Sequence, residues 1–146
     1  MNNTTTAAAD RDTPASKLLR GLVIELFQTE ESAAEHPRVE AERLGDTPPA
    51  HAMREVSDHA TRALAELRII AEREHFERTD LGRRLGDLFS LVRDRLADMV
   101  LDREKTYRAT ALGMHHGVDL VHLVKNVSKE SGHEALADWC DRWLKE

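Results

Sequence analysis

Polar and apolar residues alternate along this chain with the period of an α-helix. Apolar side chains recur at spacings of three and four in four long stretches, and this spacing places them on one face of a helix. The stretches begin near Pro14, Pro49, Thr79 and Thr106, and a shorter one runs from Leu136 to Leu144. The pattern predicts an all-α protein, an antiparallel four-helix bundle with short connections and a short extra C-terminal helix. The third and fourth long helices are expected to be separate, because Arg103 and Thr110 occupy core positions of the junction with polar side chains.

The stretch from Thr106 to Gly132 is apolar around most of its circumference, which is typical of a helix with neighbours on several sides. We therefore predict that it is the central helix. Its polar residues form one narrow stripe at about 100° per residue. The stripe consists of Arg108, His115, Asp119, His122 and Asn126. Gly113 and Gly117 fall on the other side and are predicted to let a neighbouring helix pack closely.

Residues 28–50 differ in composition from the helical stretches on either side. Val39 and Leu44 are the only large apolar residues there, and prolines and a glycine interrupt the segment. We expect a polar connector that contains a short helix from Pro37 to Leu44. Residues 1–13 lack the basic and apolar regions of a signal peptide, and we expect a disordered tail there. Residues 14–146 are expected to form a single helical-bundle domain.

Composition and charge restrict the classes of function. The chain has 146 residues, a formal net charge of -6 and 33% charged residues. Binding to a phosphate backbone needs a clustered basic surface, whereas the arginines here are interleaved with acids, so we expect no nucleic-acid partner. No apolar run approaches the roughly 20 residues of a membrane span, so we expect no membrane partner. The single cysteine, Cys140, forms neither a disulfide framework nor a Cys-x-x-Cys pair, which favours a cytoplasmic protein.

Three residues of the polar stripe have the spacing of metal ligands. His115, Asp119 and His122 project from successive turns of one helix face, where imidazole and carboxylate groups can reach one divalent metal ion. A further ligand must come from another helix, and His59 is the candidate. His59 and His115 resemble part of the site of the DinB-like proteins, four-helix bundles that bind one metal ion through three histidines. That resemblance implies a metal cofactor, although Asp119 stands where the family has its second histidine.

The polar stripe has two other interpretations. It is the solvent-exposed face of an otherwise buried helix, or it forms an interface with a partner. Trp139 and Trp143 share one face of the last helix, where they either close the edge of the core or anchor a partner. Cys140 lies between core positions of the same helix and is expected to be buried and structural.

The sequence contains no Ser-His-Asp context, glycine-rich phosphate loop or paired-acid motif, which favours a protein that is not an enzyme and has no cofactor. We therefore expect a small cytoplasmic helical-bundle protein that acts by protein–protein interaction. Its partner is either itself, in a homo-oligomer, or another protein to which it is an accessory or adaptor subunit. The alternative is a metal- or small-ligand-binding bundle, DinB-like or another metalloenzyme, that uses His115, Asp119 and His122.

Overall fold

The computed structural model describes residues 13–76 and 103–146. These ranges are all-helical and contain four helices. The helices are α1 (Pro14–Leu44), α2 (Pro48–Arg73), α3 (Arg103–Glu130) and α4 (Glu134–Trp143). The predicted tail up to residue 12, the helix predicted from Thr79 and most of its junction with the next helix lie outside the described residues. None of the described helices combines the length and the apolar composition that crossing a membrane requires.

Helix α1 begins as the sequence predicts but continues much further. The Thr13 side chain accepts a hydrogen bond from the Ser16 backbone N–H at 3.2 Å, and proline occupies the first turn. Residues 28–44 then belong to the same helix, so the segment is not the connector that its composition suggested. Pro37 lies inside the helix and is buried, although proline removes one intrahelical hydrogen bond. The helix ends at Gly45, where φ is 71° and the N–H donates to the Ala41 carbonyl at 3.1 Å.

The physical reason for this extension is that helix formers replace large apolar residues in the second half of α1. Glutamate, alanine and arginine have high helix propensity, and they dominate the segment. Arg38 also pairs with Glu35 at 2.7 Å and with Glu42 at 2.9 Å along the helix surface. Such pairs at spacings of three and four favour the helix modestly, because both partners are exposed and screened by water. A count of large apolar residues therefore underestimates the helical tendency of this segment.

Helices α1 and α2 form a hairpin joined by residues 45–47. Thr47 caps α2, and Ser57 of α2 donates a hydrogen bond to the Ala34 carbonyl of α1 at 2.5 Å. Helix α1 packs against both α2 and α3. Helix α3 likewise packs against two helices, α1 and α4, so the described contacts do not single out a central helix and the central position of α3 stays a prediction. Helix α3 buries one face and leaves large apolar residues such as Leu112 exposed.

Buried apolar residues form two groups of unequal size. The larger group, which we call the main core, is built by the four described helices and by Phe76, three residues after the end of α2. It comprises Leu19, Leu22, Val23, Leu26, Phe27, Ala63, Leu64, Leu67, Ala71, Phe76, Leu120, Val121, Val124, Leu136, Trp139 and Cys140. The smaller group, which we call the small cluster, lies near the turn between α1 and α2. It comprises Ala41, Ala50 and Met53, with Leu44 and Met114 packed against it.

Helix α4 lies against α3 and α2 and runs in the opposite direction to α2. Three contacts with α2 or its C-terminal cap show this direction. His133 contacts Glu74 at 2.8 Å, Arg142 contacts Glu66 at 3.6 Å, and Glu146 contacts His59 at 3.2 Å. The apolar face predicted for this helix faces the main core, where Leu136, Trp139 and Cys140 are buried.

Candidate functional site

The polar stripe lies on the side of α3 that faces away from the core. The residues of α3 that are buried against the rest of the protein are Gly117, Leu120, Val121, Val124 and Ser128. At about 100° per residue, these positions are centred roughly 180° from the stripe. All members of the stripe, Arg108, His115, Asp119, His122 and Asn126, are exposed. The structure thus brings the predicted residues together on one outward-facing surface.

Exposed leucines lie beside this stripe. Leu112 is 69% exposed and Leu123 is 47% exposed, although both belong to an ordered helix. Viewed down the helix axis, these two leucines, His116 and Asp119 share one sector of about 60°. We call this surface, formed by Leu112, His116, Asp119 and Leu123, the leucine face. The two leucines are separated by His116 and Asp119 along the helix, and covering their apolar side chains with a partner is favourable because water hydrates apolar groups unfavourably.

His116 is oriented by a contact with the neighbouring helix. Its Nε2 lies 3.2 Å from Glu25 Oε1 of α1, and both side chains are about half exposed. Sequence analysis did not identify His116, because it falls beside the stripe defined by His115 and His122. Its position four residues after Leu112 was the available signal, since residues four apart are neighbours on a helix surface.

The structure does not bring His59 to the polar stripe. His59 lies on α2, where its Nδ1 is 3.2 Å from Glu146 Oε2 and its ring contacts Trp143 edge-on, with centroids 5.3 Å apart. Among residues 13–76 and 103–146, no group of three histidine, cysteine or acidic side chains is arranged to hold a metal ion. His59 therefore does not join His115, Asp119 and His122 as the further ligand that a metal site on α3 would need from another helix.

The two glycines predicted at helix crossings have different surroundings. Gly117 is buried against α1, and a Cβ at this position would lie 3.4 Å from Thr29 Cγ2. Gly113 is exposed, and a Cβ there would meet nothing within 4 Å in the described structure. Gly113 is therefore not at a close crossing with any described helix, although it lies on the same side of α3 as Gly117.

The tryptophans of α4 pack into the protein itself. Trp139 is only 2% exposed and belongs to the main core, so it cannot anchor a partner while α4 is docked. Trp143 is partly buried and packs against the same core. Cys140, which lies between them in the sequence, is buried, and burial raises the pKa of its thiol to about 12. A thiol with such a pKa is a poor nucleophile near neutral pH.

A buried carboxyl group lies close to Trp143. Glu30 of α1 is 1% exposed, and burial raises its pKa from 4.5 to about 7, while the indole of Trp143 opposes part of this increase. Neither Glu30 Oε2 nor Trp143 Nε1 has a hydrogen-bond partner of good geometry. Sequence analysis missed Glu30 because it assigned the residue to a polar connector. Its spacing of three, four and seven from buried Phe27, Leu26 and Val23 was a signal that the buried face continued.

A second buried carboxylate lies beside the small cluster. Glu40 is 1% exposed, and neither of its carboxylate oxygens accepts a hydrogen bond. Arg43 Nη1 is 3.9 Å from Glu40 Oε2, at the limit of an ion pair. Burial of a carboxylate without hydrogen bonds costs free energy. This residue was also assigned to the connector in the sequence analysis.

Comparisons with protein-family models, with curated proteins and with solved structures find no match to this chain. Among the described side chains, those of the leucine face have the chemistry best suited to binding a partner.

Proposed function

We propose that this protein acts by protein–protein interaction through the outward surface of α3, either as a homo-oligomer or as an accessory subunit of another protein. The proposal includes a cytoplasmic location, which the lone Cys140 favours. It also includes an antiparallel four-helix bundle, and the opposite directions of α2 and α4 are compatible with that arrangement. The single observation that carries the proposal is the exposure of Leu112 and Leu123 on the leucine face.

The free energy available from this surface is appreciable. Complete burial of a leucine side chain contributes about 1.5–3 kcal/mol relative to leaving it exposed. Much of this burial free energy is still available at Leu112 and Leu123, because neither is buried against another described helix. A partner that covers both leucines gains it on binding, less the cost of association.

The polar stripe complements these leucines as the rim of an interaction surface. Protein interfaces commonly have an apolar centre surrounded by polar groups that remain partly hydrated. His115, His122 and Asn126 are exposed next to the leucine face and provide hydrogen-bond donors and acceptors there. Charged and polar groups of this kind contribute specificity more than affinity. The stripe therefore supports selection among partners.

Light scattering and elemental analysis of the purified protein test this proposal. The variant His115→Ala/Asp119→Ala/His122→Ala is compared with the wild type, because it removes the side chains that the metal-binding alternative requires. We expect no stoichiometric metal in the wild type and a change of assembly in the variant. Stoichiometric zinc or iron that the triple variant loses would contradict the proposal and favour the alternative. Unchanged assembly would instead assign the stripe to a solvated surface.

A further inference from the structure

We propose that the leucine face binds the same face of a second copy of this chain, with the two α3 helices antiparallel and related by a two-fold axis. This inference rests on the proposed function and identifies the partner of that surface. It starts from the order of the residues along the face, which is Leu112, His116, Asp119 and Leu123.

The order of these residues is self-complementary. The midpoint of the face lies between Gly117 and Val118, and the two leucines lie about 8 Å from it in opposite directions at 1.5 Å per residue. His116 and Asp119 lie about 2 Å from the same midpoint, again on opposite sides. A two-fold axis at the midpoint therefore places Leu112 of one copy opposite Leu123 of the other. The same axis places each histidine opposite an aspartate.

The chemistry of the opposed pairs favours this arrangement over a parallel one. Antiparallel pairing joins apolar to apolar and imidazole to carboxylate, whereas parallel pairing places Asp119 opposite Asp119 and His116 opposite His116. Like charges placed opposite each other oppose association. His116 contacts Glu25 through Nε2, which leaves Nδ1 as the ring nitrogen that can pair with Asp119 of the other copy. Each interface of this kind is isologous and closes after two copies.

The size of the surface sets the expected strength. A contact made by one helix from each copy lies at the low end of protein interface areas, where association is weak. We therefore expect dissociation constants on the order of micromolar or weaker. Measurements of mass must accordingly cover concentrations from well below to well above that range.

Disulfide trapping tests both the partner and its direction. Leu112→Cys and Leu123→Cys are made singly and oxidised either alone or as an equimolar mixture. In the antiparallel pair, the same position in two copies is separated by about 16 Å along the helix, far beyond the Cα separations of a disulfide. We expect a covalent dimer from the mixture, with one chain of each variant, and none from either variant alone. The native Cys140 does not compete, because it is buried.

Each of the other possible results of trapping and light scattering would overturn a different part of the proposal. Covalent dimers from either variant alone would overturn the antiparallel arrangement. Self-association by light scattering without trapping in the mixture would overturn this pairing but leave the proposed interaction function in place. A monomer at every concentration would overturn the second copy as the partner.

Charge substitution on the leucine face measures the strength of the interaction. Leu112→Glu places a carboxylate in the contact twice per dimer, and we expect the association constant to fall by about a hundredfold or more. Ile69→Glu is the matched control, because Ile69 is 67% exposed on α2 and lies outside the face. The control should retain the wild-type association constant. A large loss of thermal stability in Leu112→Glu at concentrations where the protein is monomeric would mean that the face is covered within one chain, and it would overturn both this inference and the proposed function.

Discussion

The region covered by α4 and the region near the turn between α1 and α2 use the same hairpin but bury very different residues. Under α4, the hairpin contributes large side chains such as Phe27 and Leu67, and they pack with Trp139 in the main core. Near the turn, the same two helices contribute Ala41, Ala50 and Met53 to the small cluster. Within residues 13–76 and 103–146, the first region has contributions from four helices, whereas the second receives only Met114 from outside the hairpin.

The hairpin therefore buries its large residues where α4 covers it. The short helix adds Trp139 and Leu136 between α2 and α3, and it closes the core there. Near the turn, two of the three buried residues are alanines, so little apolar area is buried for each residue. Hydrophobic stabilisation grows with the apolar area removed from water, at about 25 cal/mol per Å². We therefore expect most of the stability to arise in the main core.

The largest expected effect comes from removing the central side chain of the main core. Trp139→Ala should lower the free energy of unfolding by about 3–5 kcal/mol, because it removes a buried aromatic ring and leaves a cavity. Met53→Ala makes the corresponding change in the small cluster and should cost about 2 kcal/mol, at the low end for buried methionine. Urea denaturation followed by circular dichroism measures both values. Equal losses in the two variants would contradict the contrast between the regions.

The next effect concerns the ionisation of Glu30 within the covered region. Its pKa is raised from 4.5 to about 7 when the protein folds, so the folded state binds more protons than the unfolded state between these pH values. Stability should therefore fall as the pH rises from about 4.5 to about 7, and the full cost should remain above that range. A change of this size in pKa corresponds to on the order of 3 kcal/mol.

Glu30→Gln tests this pH dependence, because an amide resembles the protonated carboxyl group and carries no charge. We expect the variant to be more stable than the wild type at pH 8 and to show a smaller loss of stability between pH 5 and 8. Glu55→Gln is the matched control, since it makes the same charge change at an exposed position of α2. Parallel stability curves for wild type and Glu30→Gln would show that the buried carboxyl group does not ionise in this range.

Particular residues show which features the sequence could predict. Thr13 and Pro14 mark the start of α1, and Gly45 marks its end, because capping residues and glycine at positive φ have local causes. The buried faces of α2 and α4 follow the helical period of large apolar residues, and that period is visible in the sequence. The outward direction of the polar stripe has the same origin, because the apolar residues of α3 occupy the opposite side.

Other features depend on packing between distant segments. Glu30 and Glu40 lie on a buried face of α1. A glutamate side chain normally indicates an exposed position, so residue type alone predicts the wrong environment for both. Trp139 could pack inside the chain or outside it, and only the contacts of α4 with the main core distinguish the two. The continuity of α1 through Pro37 is a further case, because proline in the middle of a helix is tolerated only where packing offsets its cost.

The smallest effect tests the boundary between the two regions, where α3 approaches α1 at Gly117. A Cβ at this position would lie 3.4 Å from Thr29 Cγ2, which is an ordinary van der Waals contact. Gly117→Ala should therefore be tolerated, whereas Gly117→Leu adds three more carbon atoms at the contact and should cost about 1–3 kcal/mol through overpacking.

Gly113→Leu is the matched control on the same helix, because Gly113 has open space around it. Replacing an exposed helical glycine with leucine should stabilise the protein by roughly 0.5–1 kcal/mol. Thermal and urea unfolding of the three variants measure these differences. If Gly117→Leu stabilised the protein as much as Gly113→Leu, the contact between α3 and α1 would not be close, and the boundary between the main core and the small cluster would be looser than the structure indicates.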